Sequence, residues 1–291
     1  MIDIAVIILM KDEILHIKRC LERLASLNPR QIFIVDCFST DGSVETVNAI
    51  RQSNNLKLNN IELVQRKWPG TQAKQFGWAL ENLPIDAGWI LRLDADEYLL
   101  PELVAEIKEK LPQMLQTVDG VVLKRRHIFS GKWVRHGTYP TRILRLFRTG
   151  RGLCDGKLMD EHIVVQGQTV EFDCDFVDHS LISFEDWKEK HRGYAKREAQ
   201  SYLGGEVSEG AKASAKAAYY KLPRYFRAVA YFCIRYFLKG GFLDGRAGWR
   251  WNFWQGLWYR WIVDREIGRM RRAGGEGNGE PRKTNTGDYV V

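Results

Sequence analysis

The sequence predicts an α/β domain, a mostly parallel sheet with helices on both faces, followed by an amphipathic helical region. Three observations carry that expectation. In the first hundred residues, short apolar runs alternate with segments of helical periodicity, the βαβ pattern of an open parallel sheet. Aspartates recur where the apolar runs end. From about residue 185 the helical pattern continues without a matching strand.

Residues 4–10 (IAVIILM) form a continuous apolar run, suited to a strand buried on both faces. Residues 13–27 follow with Ile14, Ile17, Leu21, Leu24 and Leu27 at helical spacing. A second strand, 31–36 (QIFIVD), ends in Asp36 and opens into CFSTDGS. Residues 43–53 read as a helix, 61–66 as a third strand, 71–82 as a helix and 89–96 (WILRLDAD) as a fourth strand. A helix is expected over 102–118, and strand-like pieces begin at GVVLKRRHIF, 120–129. The alternation in TRILRLFR (141–148) has two readings: an edge strand with one solvated basic face, or arginines that meet phosphate. The domain is expected over 1–184, the helical region over 185–270 and a Gly-rich, charged, disordered tail over 271–291.

The balance of charge narrows the partners. Against 36 Asp and Glu stand 44 Lys and Arg, a formal net charge of +8, which favours anionic ligands such as phosphorylated substrates or lipid headgroups. Nine Lys or Arg and no acid lie between Gly120 and Cys154. The five cysteines show no CxxC spacing, which suits a reducing compartment and ordinary buried thiols. The apolar start has no basic residues before it and no small-residue cleavage site after it, and reads as a first strand rather than a signal peptide.

Ligands of open parallel sheets collect at the carboxyl ends of strands, where Asp36, Asp41, Asp94 and Asp96 fall. Asp-x-Asp at such an end can hold a hard divalent cation, because the cation cancels the repulsion between carboxylates. An acidic turn before a helix N-terminus also fits DEYLLPELV.

Three motifs together, KDE after the first strand, VDCFSTDGS after the second and LRLDADEYL after the fourth, resemble family 2 of the inverting, nucleotide-sugar-dependent glycosyltransferases. Within that family the chain looks like the bacterial branch that extends lipopolysaccharide core or exopolysaccharide. The resemblance covers roughly residues 1–185 and implies the Rossmann-like GT-A fold, a nucleotide-sugar donor and a divalent metal, Mg or Mn. Carried over by position, it implies that Asp36 and Asp41 hold the base or ribose. It places Asp94 at ribose and metal, and Asp96 on the metal beneath the diphosphate. Cys37 departs from the pattern, since many members carry a second Asp there. QAKQFGWALEN also departs, with Lys74 and Gln75 as candidates for the polar role of its helix start. The family's general base is a carboxylate in the second half of the domain, which implies Glu161, or Asp160 beside it, in LMDEHIV. A charged loop before a strand is the plainer reading of that stretch. Among the arginines of the basic stretch (Arg125, Arg142, Arg145, Arg148), Arg145 is the one assigned to the donor.

Residues 219–272 hold five of the ten tryptophans and twelve Lys or Arg against three acids. Arg227, Arg235 and Lys239 interrupt any run long enough to span a bilayer. Amphipathic helices on an anionic membrane surface fit this composition, with Arg and Lys on the lipid. A hairpin packed on the domain, or a dimer interface, fits as well. No RNP or KH signature accompanies the basic residues, so nucleic acid is not an expected partner. The expected function is transfer of a sugar from a nucleotide-sugar to a lipid-linked saccharide, by a peripheral enzyme on the cytoplasmic face of the inner membrane. Two rivals stand beside it: a sugar-phosphate nucleotidyltransferase, and an inactive membrane-docked nucleotide-sugar-binding protein. MKDEILH lacks the Gly-rich loop that the nucleotidyltransferase would need.

Overall fold

The computed structural model describes residues 1–53, 56, 58, 60–155, 162–205 and 217–273. Four strands, β1 (Ile2–Met10), β2 (Pro29–Asp36), β3 (Ile61–Gln65) and β4 (Trp89–Asp94), run parallel. They are joined through α1 (Ile17–Leu24), α2 (Ser43–Ser53) and α3 (Gln72–Asn82). β1 is buried from Ile4 to Met10, and its alternate residues serve opposite faces. Ile4, Val6 and Ile8 pack with Ile17 and Leu21 of α1, whereas Ala5 and Ile7 pack with Phe76 and Ala79 of α3. A strand with apolar side chains on both faces is stable only inside a sheet covered twice, which is why the run is unbroken.

After β4 come β5 (Glu97–Leu99), α4 (Pro101–Lys110), β6 (Val118–Phe129), β7 (Lys132–Trp133) and β8 (Thr141–Arg148). The hairpin of β9 (Gly152–Cys154) and β10 (Ile163–Val165) follows, and then β11 (Gln168–Asp178). Among the described residues nine strands make one sheet in the order β3-β2-β1-β4-β8-β6-β11-β5, with β7 beside β6.

Two expectations are corrected here. The helix expected over 102–118 stops at Lys110 and closes with a 3-10 turn, Leu111–Gln113. Pro112 has no N–H to continue the helical ladder. β8 is an interior strand, antiparallel to both β4 and β6, and not an edge. Since β6 and β11 are parallel, β4, β6 and β11 all end at the same edge of the sheet.

α5 (Phe184–Leu203) starts where Ser183 accepts the Asp186 N–H at 3.1 Å, with Glu185 and Asp186 in the first turn to favour the helix dipole. α6 (Phe226–Cys233) passes into a π-helical stretch, Ile234–Leu238. A turn, Gly241–Asp244, leads to α7 (Gly245–Trp251), a second π-helical stretch, Asn252–Trp258, and α8 (Tyr259–Ala273). The tail expected from 271 therefore begins inside α8, whose last turn carries Arg271 and Arg272 against the negative end of the helix dipole. Residues 274–291 lie outside the described residues.

The helices pack on the sheet domain and on one another. Ala195 and Ala199 of α5 meet Ile262, Val263 and Ile267 of α8. Phe129 of β6 lies 5.7 Å from Trp187 of α5 and 5.2 Å from Trp251 of α7, centroid to centroid. Each large side chain so withdrawn from water contributes on the order of 2–3 kcal/mol.

Candidate active site

The loops after β1 and β2 are laced into one wall. Asp12, Glu13 and Ile14 donate their backbone N–H groups to Ser39 Oγ (2.8 Å), Ser43 Oγ (2.8 Å) and Asp41 Oδ2 (2.9 Å). Asp36 is fully buried and accepts from Ser39 N–H (3.1 Å), Ser39 Oγ (2.5 Å) and Gln65 Nε2 (3.0 Å). Its carboxylate thereby holds its own loop together. Asp41 likewise accepts Ser43 N–H (3.0 Å) at the start of α2. Burial works against its charge, but hydrogen bonds from Ser43 and Ile14 prevail and hold its carboxyl below the usual range. Phe38 of this wall is exposed and held at φ 59°, a left-handed conformation unusual for a bulky residue. Lys74 lies exposed in the first turn of α3, its N–H bonded to Thr71 Oγ1 at 3.2 Å. Gln75 is buried and reaches Cys37 Sγ at 3.2 Å.

The acids of LRLDADEYL divide between inside and outside. β4 ends on Asp94, half-buried; Asp96 is half-buried in the turn, and Glu97 is buried at the start of β5. The turn is fixed by its backbone: the Asp96 carbonyl accepts from His179 N–H (3.1 Å) and Arg19 (3.3 Å), and the Asp94 N–H donates to Glu97 Oε2 (3.0 Å). Arg145 of β8 donates to Asp94 Oδ2 at 3.1 Å and to Glu97 Oε1 at 2.5 Å. Its guanidinium is buried between these two carboxylates. The other arginines of that stretch are also engaged: Arg125 with Asp178 (3.6 Å), Arg142 with Glu171 (2.7 Å) and Arg148 with the carbonyl of Val118 (2.8 Å).

Asp178, which ends β11, stands level with Glu97 of β5 on one side and His127 of β6 on the other. His127 Nδ1 lies 3.1 Å from its carboxylate. Burial opposes the charge on Asp178, but His127 and Arg125 hold it well below the usual carboxylate range. Asp96 goes the other way: burial first, then the nearby charge of Asp178, push its carboxyl up to about 7, against the opposing charge of Lys190 of α5. Lys190 is itself held above the ordinary lysine value, against the effect of burial, by Tyr194, Asp96 and Glu13.

Sequence reasoning missed Asp178 and Lys190. Asp178 carried a signal, an acid closing the strand-like run CDFVD; Lys190 carried none, because one lysine in a charged helix looks like any other. Asp160 and Glu161 lie outside the described residues. Their flanks, Asp155 and His162, are joined by Asp155 N–H to the His162 carbonyl at 3.0 Å, closing the β9–β10 hairpin.

A divalent cation suits Asp94 and Asp96. Asp94 Oδ1 is buried and takes no hydrogen bond, with Arg92 at 3.7 Å as an ion-pair partner, and the carboxylates that raise Asp96 are a repulsion that a cation would relieve. Among the described residues no group of three or more His, Cys, Asp or Glu side chains is placed to hold a metal ion, so the candidate ligands are these two carboxylates. Two carboxylates would thus leave coordination positions for a diphosphate.

Comparison with known proteins bears on the family and the fold. Residues 5–200 match the sequence model of the family described as glycosyl transferase family 2. LpsC of Rhizobium meliloti (strain 1021), a lipopolysaccharide core biosynthesis glycosyltransferase, is 28% identical over 171 residues. That match takes in 57% of this chain and 58% of LpsC, so less than two thirds of the relative is spanned. The mannosyltransferase PcManGT from Pyrobaculum calidifontis, solved with GDP-Man and Mn2+, superposes with a TM-score of 0.53 at 15% identity, covering 91% of this chain and 86% of that one. At that identity the likeness speaks for the fold alone, and the fold is GT-A. S. aureus TarS 1–349, solved with UDP-GlcNAc, gives a TM-score of 0.43 at 15% identity over 94% and 92% of the two chains.

Proposed function

The chain belongs to glycosyl transferase family 2, and from that premise we propose that it transfers a sugar, with inversion at the anomeric carbon, from a nucleotide-sugar to a lipid-linked saccharide. The product is a bacterial lipopolysaccharide core or envelope polysaccharide, and the enzyme works peripherally at the anionic cytoplasmic face of the inner membrane. The observation that carries this reading is that Asp94, Asp96 and Asp178 stand near enough at the strand ends for Asp178 and Asp94 to oppose the charge on Asp96, with an Asp94 oxygen that takes no hydrogen bond.

Asp94 and Asp96 would hold Mg or Mn, which when bound supplies Lewis-acid stabilisation of the departing diphosphate. Arg145 keeps Asp94 ionised and oriented; burial alone would neutralise this carboxyl, and Arg145 and Arg92 hold it low. The wall built on Asp36 and Asp41 presents Phe38 to the base, and Lys190 adds positive charge beside Asp96.

The acceptor hydroxyl needs a base that is free to take a proton. Asp178 is a poor one, because His127 and Arg125 stabilise its charged form. Glu97 is buried under Arg145. The family resemblance, and not the described geometry, assigns the role to Glu161, with Asp160 as its neighbour. A nucleotidyltransferase is disfavoured by the loop after β1, which has no glycine and whose N–H groups at Asp12, Glu13 and Ile14 are taken up by the β2 loop and not turned to a phosphate.

Hydrolysis of a panel of UDP-, GDP- and other nucleotide-sugars, with Mn2+ or with EDTA, tests the reading. Metal-dependent turnover of one donor, lost in Asp96→Ala while the circular dichroism spectrum is unchanged, is expected. Turnover equal in both proteins would reject it, and binding without turnover would favour the inactive rival.

A further inference from the structure

α6 and its π-helical continuation are turned inside out. Their arginines, Arg227 and Arg235, are 2% and 1% exposed, while Phe237 and Leu238 are 57% and 82% exposed. The following turn adds Phe242 and Leu243, and α7 adds Trp249, all exposed. These side chains form one surface: the Tyr236 ring lies 5.1 Å from Phe237, 6.2 Å from Phe242 and 5.5 Å from Trp249. An apolar patch of this kind on a charged protein marks a docking site.

We infer that this surface is a wedge that inserts into an anionic phospholipid bilayer, with the catalytic edge of the sheet held beside the membrane. The partner follows from charge. Lys239, Arg246 and Arg250 are exposed at the margins of the patch. The only acid between Lys221 and Phe253 is Asp244, buried and bonded to His136 at 2.8 Å. Aromatic and aliphatic side chains rimmed by uncompensated cations fit the boundary between acyl chains and anionic headgroups. Pairing with a second copy of this surface about a two-fold axis would bring the same cations face to face. Among the described residues no helix is long and apolar enough to cross a membrane, so the surface lies on the bilayer.

The orientation follows from how the wedge is tethered. Gly137 N–H donates to the Lys239 carbonyl at 3.0 Å, and His136 holds Asp244, so the turn is bound to the loop between β7 and β8. That loop continues from the edge at which β6 and β4 both end, the edge that carries Asp94. Gly248 allows the close approach behind the wedge, because a Cβ there would strike the Gly241 carbonyl. The inference rests on the proposed function for its purpose, bringing the site to a lipid-held acceptor.

The full chain is sedimented with vesicles of phosphatidylglycerol and phosphatidylethanolamine, and with vesicles of phosphatidylcholine alone. It should pellet with the first and remain largely in the supernatant with the second. The double variants Phe237→Ser/Leu238→Ser and Phe242→Ser/Leu243→Ser should each weaken partitioning by roughly a hundredfold, since each large apolar side chain taken out of water is worth about tenfold or more. Arg246→Gln/Arg250→Gln, on exposed side chains, should lose about tenfold on anionic vesicles. All three should keep wild-type melting temperature and nucleotide-sugar hydrolysis. Equal partitioning of variants and wild type would overturn the wedge. So would a wild-type dimer, formed without lipid, that both apolar variants convert to monomer. Selective vesicle binding by a chain that hydrolyses no donor would keep the wedge and remove the enzymatic reading.

Discussion

In the sheet half of the molecule, β1 buries seven consecutive apolar residues and the acids stand at the rim, at Asp94, Asp96 and Asp178. In the helical half, Arg227 is buried against Asp264 and beneath the Tyr220 ring, 4.5 Å away, while phenylalanines and leucines face outward. Glu198 there gathers Tyr259 (2.7 Å), Arg260 (2.6 Å) and Tyr220 (3.2 Å). The difference teaches where function sits in each half. A sheet with an apolar interior can hold repelling carboxylates at its edge for a ligand to reconcile. A helical layer that turns charges such as Arg227 and Glu198 inward to partners leaves an apolar surface outside.

The comparison can be broken at several points. Asp96→Ala should reduce transfer by about a thousandfold, the scale of losing a group that stabilises developing charge, and addition of EDTA to wild type should do the same. Steady-state assays with thermal melts check this, and an equal fall in stability would mean that the rim acid serves the fold instead. Arg227→Met should destabilise the protein by about 3–5 kcal/mol by stranding Asp264 in the interior. The double variant Arg227→Met/Asp264→Leu should recover most of that loss in urea unfolding; failure to recover would show that the ring contacts of Arg227 matter more than its ion pair. Gln65→Ala, which removes one bond to Asp36, should cost about 1 kcal/mol and raise KM for the donor more than it lowers kcat. Leu238→Ser should change stability by no more than about 0.5 kcal/mol, because the side chain is already in water. A larger loss would show that the outward face is packed in solution.

The sequence was most legible where chemistry and periodicity coincide. Residues 4–10 and WILRLDAD read directly as strands, because a sheet covered on both faces demands unbroken apolar runs and the acids then mark its edge. Their partners were not legible. Arg145 reaches Asp94 and Glu97 across 51 and 48 residues of sequence, and Asp178 meets the site only through lateral pairing with β5 and β6. Alternating arginines in TRILRLFR suggest a solvated edge, yet an interior strand shows the same alternation when an arginine pairs with buried acids. In α6 the pattern of cations and aromatics was visible, but which face turns inward depends on Asp264, a residue of another helix.

The central claim is that Asp94 and Asp96 bind a divalent cation under a nucleotide diphosphate. Electron paramagnetic resonance of Mn2+ with the full chain and saturating UDP or GDP tests it most directly. Wild type should remove the free-ion signal at protein-equivalent Mn2+ in the presence of the matching nucleotide, and Asp96→Asn should need at least about tenfold more protein to do so. Identical Mn2+ binding by the two proteins would contradict the account.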